Sequence, residues 1–123
     1  MIIEQYSFRV EFYETEDGHQ PAREFLLSLD VKMRAKLSDR ISLLQDNGPR
    51  LREPYSKYLS EGIFELRAKS GTDITRVLYF FYAGRHIVLT NGFVKKSQKT
   101  PPGELERAKR YRADYLSRKE SER

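Results

Sequence analysis

The segment from Ile63 to Thr90 constrains this chain most, because it is written in the two-residue period of a sheet and broken twice by turn residues. In Ile63-Phe64-Glu65-Leu66-Arg67 the apolar Phe64 and Leu66 alternate with the charged Glu65 and Arg67. Ser70-Gly71-Thr72-Asp73 marks a turn, and Ile74 to Tyr82 is rich in β-branched and aromatic residues. Ala83-Gly84 is a second turn, followed by Ile87-Val88-Leu89-Thr90. Three strands with two short connections predict an antiparallel meander.

Upstream, Tyr6, Phe8, Val10 and Phe12 alternate with Ser7, Arg9 and Glu11, which predicts a half-buried strand. Pro21 suits the first turn of a short helix over 21–29 that carries Phe25, Leu26 and Leu29 on one side. Asp30 can cap a second helix over 31–46, whose Leu37, Ile41 and Leu44 form a core-facing stripe. Asn47-Gly48-Pro49 stops it. Residues 49–61 read as a basic loop. After Pro101-Pro102, residues 103–118 read as a helix with Leu105, Ala108, Tyr111 and Tyr115 along one side. A single domain over 1–118 with a frayed tail at 119–123 is expected. The class is α+β, with the helices against one face of the sheet and the other face partly open.

The chain carries 23 basic and 18 acidic side chains, unevenly placed. Residues 1–30 hold two basic against seven acidic, a net −5. Residues 31–94 hold 11 against six and residues 95–123 hold 10 against five, +5 in each case. A chain polarised in this way either turns a basic face to a polyanion, nucleic acid first, or spreads its charge over a salt-bridged surface. Cysteine is absent, which excludes disulfides, thiolate catalysis and cysteine-based zinc sites. Only His19, in an acidic loop, and His86, near a turn, remain for imidazole chemistry, with surface histidines as the default. No apolar run approaches the ~20 residues that span a bilayer, and Met1 leads into Glu4 rather than a basic stretch and an apolar leader. A cytoplasmic protein with no membrane partner is expected.

The segment Asn91-Gly92-Phe93-Val94-Lys95-Lys96-Ser97-Gln98-Lys99-Thr100-Pro101 sets three lysines within five residues directly after a strand. There they either focus positive potential on a phosphate or solubilise a loop. Gly92 permits a tight exit from the strand or marks a bulge. Arg67 and Arg76 share one sheet if their strands pair around Gly71, either as forks for phosphate oxygens or as partners of acids such as Glu65. Glu65, on the side of Arg67, is a candidate general base or a structural pair. Arg50, Arg52 and Lys57, interleaved with Tyr55 and Tyr58, are candidate RNA contacts together with Lys99. Tyr55, Tyr58, Tyr79 and Tyr82 either stack on bases or belong to the core. A glycine-rich phosphate loop, a paired acidic metal cluster and a Ser/His/Asp spacing are all missing from the sequence. Cleavage of RNA fits this inventory. The 2′-hydroxyl is an internal nucleophile held beside phosphorus, so a protein need only orient the backbone and stabilise developing charge. DNA lacks that hydroxyl. Neither cofactor nor metal is expected.

Four segments together carry a resemblance: Leu51-Arg52-Glu53-Pro54-Tyr55-Ser56-Lys57-Tyr58-Leu59, Gly62-Ile63-Phe64-Glu65-Leu66-Arg67, Arg76-Val77-Leu78-Tyr79-Phe80-Phe81, and the run from Gly92 to Pro101. They resemble the HigB branch of the RelE/ParE type II toxin superfamily, a branch of phage-derived toxin-like proteins, and the similarity spans residues 6–116. The last run is the most specific. The resemblance implies a RelE-like, microbial RNase-type fold: a twisted antiparallel sheet with two N-terminal helices and a C-terminal helix. It implies a toxin whose partner is a HigA-like helix-turn-helix antitoxin, through which alone operator DNA is bound. It also implies an endoribonuclease that enters the ribosomal A site, among ribosomal RNA, and cuts mRNA by 2′-hydroxyl attack. Carried over by position, Arg67 and Arg76 match phosphate-contacting arginines, Lys95 and Lys96 match the basic position after the last strand, and Lys99 extends the cluster. These make Arg67, Arg76, Lys95 and Lys96 the expected catalytic set. Asn91 stands where related chains often carry His before Gly-Phe. Tyr111 and Tyr115 are available for a catalytic C-terminal tyrosine, but their spacing places them in the helix core. A ParE-like gyrase inhibitor and a DNA-binding accessory to the antitoxin are the alternatives.

Overall fold

The computed structural model describes residues 8–95 and 99–122. The elements run β1 (Arg9–Phe12), α1 (Pro21–Ser28), α2 (Val31–Asn47), a single 3₁₀ turn (Gly48–Arg50), β2 (Ser56–Ser60), β3 (Ile63–Ser70), β4 (Asp73–Tyr82), β5 (His86–Val94) and α3 (Pro102–Ser121). The five strands form one sheet in the order β1-β5-β4-β3-β2. The α+β class is as expected.

Local chemistry sets the boundaries. The Asp30 carboxylate accepts from the Met33 amide at 2.8 Å, satisfying one of the unpaired donors at the start of α2. Gly48, at φ +55, closes that helix with its N–H on the Leu44 carbonyl. The expected turns at Ser70–Asp73 and Ala83–Gly84 join β3 to β4 and β4 to β5. Strands this rich in Val, Ile, Phe and Tyr are stable as sheet only when both faces are covered. Leu66, Ala68, Val77, Tyr79, Ile87 and Leu89 pack with Met33, Leu37 and Leu44 on one face. Ile63, Leu78, Phe80, Val88 and Phe93 pack with Ala108 and Tyr115 of α3 on the other.

Three expectations change. The helices do not share one face: α1 and α2 cover one side of the sheet and α3 covers part of the other, because β4 is apolar at both parities. The sheet is not antiparallel throughout, since β1 runs parallel to β5, Arg9 opposite His86 and Phe12 opposite Leu89. Part of the basic loop at 49–61 is a strand, β2, whose Ser56-Lys57-Tyr58-Leu59-Ser60 is too polar for a core-facing period. In the described residues α3 runs through Ser121, with Arg118 donating to the Glu14 carbonyl and to Asp114. The expected start of the first strand at Tyr6 lies outside the described residues.

Gly92 lies within β5 rather than at its exit, and the register shift falls between Leu78 and Tyr79 of the facing strand. A Cβ at Gly92 would overlap the Phe25 ring, so its missing side chain lets α1 approach the sheet. G92A is therefore expected to lower stability by about 1–3 kcal/mol, measured by denaturant unfolding, because the ring has to shift in a packed layer.

Candidate active site

On the face that carries α3, register brings charged side chains from neighbouring strands together. Lys57 of β2 stands opposite Glu65 of β3, and Arg67 of β3 stands opposite Arg76 of β4. The next strand contributes Lys95, just past the end of β5, whose N–H donates to the Ile74 carbonyl at 2.8 Å. Lys57, Glu65, Arg67, Lys95, Lys99 and Thr100 line one open groove of about 340 Å³, with Leu105 of α3 at its side.

Glu65 organises the groove from below. It is buried, with 1% of its surface exposed. Arg67 Nε donates to its Oε2 at 3.2 Å, and Thr100 Oγ1 donates to its Oε1 at 2.7 Å. Arg76 Nε lies 3.1 Å from the same Oε2, but its N–H has no aligned acceptor. That contact is therefore a close ion pair rather than a hydrogen bond. Arg76 donates instead through Nη1 to the Thr75 carbonyl at 3.2 Å. With both oxygens engaged, Glu65 has the surroundings of a counter-ion, not of an open base.

The cations differ in environment. Arg76 is 7% exposed, and burial lowers its pKa, with Glu65 opposing the shift and Arg67 reinforcing it. Arg67 keeps 22% of its side chain exposed and also reaches Glu53 at 3.5 Å. Its free edge faces the groove, where a planar fork can take a phosphate. Lys95 has a lowered pKa, chiefly from burial and then from Arg76; Glu65 opposes it, while Arg67 and Lys57 add to it. A lysine lowered in this way holds its proton less firmly than an ordinary one, which suits proton donation.

Other candidates lie elsewhere. Lys96 falls outside the described residues. Arg52 donates to the Pro49 carbonyl at 2.7 Å and lines a neighbouring hollow that shares Lys57 with the groove. Arg50 is exposed on the 3₁₀ turn and does not line the groove. Asn91 is buried and donates to the Glu104 carbonyl at 3.2 Å and to Oε1 of Glu104 at 3.0 Å, tying β5 to the first turn of α3. Tyr115 is in the core and donates to Glu11 at 2.7 Å, and Tyr111 stacks on Tyr13 with ring centroids 4.6 Å apart. His86 Nδ1 lies 3.0 Å from the same Glu11 oxygen, whereas His19 sits exposed beside Glu24. Tyr79 is buried and Tyr82 packs against Tyr115, while Tyr55 and Tyr58 are exposed. Thr100 is not among the sequence candidates; its place directly before a proline pair, at the end of the lysine loop, is the one signal for it.

Removing the buried carboxylate leaves two guanidiniums facing each other without compensation. E65A is expected to destabilise the fold by about 3–5 kcal/mol in denaturant unfolding, with E65Q between it and the parent. A loss below about 1 kcal/mol would mean that the arginines do not depend on Glu65.

Among the described residues no helix is long and apolar enough to cross a membrane. Residues 24–113 match the family described as Phage derived protein Gp49-like (DUF891). Among curated proteins none matches the chain.

Proposed function

The chain belongs to the phage-derived Gp49-like family, a RelE/toxin-like family, and from that membership and the groove together we propose that it is the toxin of a type II toxin–antitoxin pair. It acts in the cytoplasm as an endoribonuclease on mRNA in the ribosomal A site. A HigA-like helix-turn-helix antitoxin neutralises it and alone carries the pair to operator DNA. The observation that carries this reading is the convergence of Lys57 of β2, Arg67 of β3 and Lys95, just past β5, on one open groove, with the nearly buried Arg76 of β4 paired to Glu65 beside them.

That arrangement suits a substrate that brings its own nucleophile. Arg67 and the lysines hold the phosphate and the charge gathering on its oxygens. The 2′-oxygen bonds to phosphorus as the bond from phosphorus to the 5′-oxygen breaks. The 2′-proton leaves to water, and the Lys95 ammonium supplies the proton that the 5′-oxygen takes. Glu65 keeps Arg67 and Arg76 in place throughout. Placement of the RNA on this face, with Arg52 and Lys99 beside it, follows from charge.

Induction without the antitoxin is expected to arrest growth and to leave cleaved transcripts where mRNA is translated but not where it is untranslated. R67A should abolish both effects and, because Arg76 and Thr100 still accompany Glu65, remain folded, which circular dichroism checks. R76A is a poorer test, since Arg76 is nearly buried and its removal also leaves a cavity in the sheet face. DNA damage with intact mRNA would instead establish a ParE-like gyrase inhibitor.

The lowered pKa of Lys95 gives the reaction a pH signature. Its cationic form is lost at a lower pH than that of an ordinary lysine, so cleavage should begin to fall on the alkaline side before the usual lysine range. K95R keeps its charge to higher pH, so retained phosphate binding with weakened proton donation is expected. In a pH–rate series the alkaline limb should disappear while the plateau drops.

A further inference from the structure

We propose that the hollow on the other side of Arg67 is a nucleobase slot, in which an unpaired base of the RNA stacks on Tyr55 while its attached phosphate rests on Arg67. This rests on the preceding reading of the groove as an RNA site and adds where the base beside the held phosphate goes.

The hollow exists because β2 and β3 differ in length. β2 begins at Ser56, opposite Leu66, so the end of β3 from Arg67 to Ser70 has no strand outside it. Tyr55 and Arg40 stand there instead. With Pro54, Ile74, Arg67 and Arg76 they line a space of about 300 Å³. Arg67 is thus a shared wall, lining both this hollow and the cationic groove.

Tyr55 is built as a fixed platform. Its carbonyl accepts from the Arg67 amide at 2.8 Å, and its own N–H donates to the Arg52 carbonyl at 3.0 Å. The Arg40 guanidinium lies over one face of its ring, 4.9 Å from the centre, which holds the ring in place. Yet Tyr55 remains 38% exposed as a residue and belongs to neither core. Tyr58, the other exposed tyrosine among the described residues, is turned to structural use: its hydroxyl accepts from the Gly62 amide at 3.1 Å, and its ring packs edge-on against Phe64.

The chemistry of the hollow is divided. Pro54, Tyr55 and Ile74 give apolar walls, and Arg40, Arg67, Lys69 and Arg76 add cations to the lining. A ligand that fits is flat, largely apolar on its faces and joined at one end to an anion. A nucleotide in single-stranded RNA has that form, and base–aromatic stacking is available to it whatever its sequence.

The test uses the whole protein on ribosomes programmed with a short mRNA, reading the single-turnover cleavage rate against toxin concentration. Y55A is expected to raise the half-saturating concentration about five- to a hundredfold, with the effect there rather than on the rate at saturation. Y55F should behave as the parent. An mRNA with an abasic nucleotide next to the cleaved phosphate should weaken the parent by a similar factor and Y55A by little more, because each removes the same contact. Unchanged half-saturation in Y55A, or equal losses from the abasic site in parent and variant, would overturn the slot while cleavage lost in R67A kept the enzyme reading. A loss confined to the rate at saturation would also overturn it. A parent protein that cuts no mRNA would overturn both.

Discussion

A carboxylate buried in a sheet has to be neutralised where it stands, and Glu65 imposes that condition on everything around it. Its partners cannot come from water, because it is only 1% exposed. They come from its own strand two residues on, from the next strand, and from the loop before α3, as Arg67, Arg76 and Thr100. Two guanidiniums that would repel each other are thereby held side by side. A single negative charge does not cancel them and the lysines around them, so the groove keeps a positive field over a rigid floor. Charge is stored here without flexible side chains having to gather when a ligand arrives, which is what preorganisation requires.

The surrounding fold keeps that floor from shifting. Arg67 and Arg76 are a cross-strand pair, so the pleat sets their distance. The basic segment after β5 is pinned on both sides of the undescribed residues: the Lys95 amide is bonded to β4, and Thr100 to Glu65. Asn91 then fastens the first turn of α3 through Glu104. The groove is consequently a product of strand register, with α3 clamped along its side.

Local rules made much of this legible in the amino-acid order. Asp30 and Gly48 mark the ends of α2 through cap chemistry that acts within four residues, and Gly71 marks its hairpin in the same way. Arg67 could be placed opposite Leu66 because β3 alternates. Arg76 could not, because Val77, Leu78, Tyr79 and Phe80 are all buried and leave no polar parity to read. Pairing with Arg67 decides its side. The pairing of β1 with β5 and the side taken by α3 are likewise set by distant contacts, such as Tyr115 on Glu11 and Tyr13 on Asp114. Tyr55 stood out only as one of several tyrosines among basic residues; the early start of β3's free edge is what singles it out.

The parallel pairing of β1 with β5 also bears on the order in which the molecule can be assembled. A ribosome delivers Arg9–Phe12 long before His86–Leu89, and the contact from Glu11 to Tyr115 spans 104 residues. The first strand therefore waits for its neighbour, and closure by α3 waits longer still. Until then the nascent chain has Glu65 without Thr100 and, before residue 86 emerges, β4 without its neighbour β5. Vectorial synthesis thus makes completion of the cationic groove a late event, tied to release of nearly the whole chain rather than to its first half.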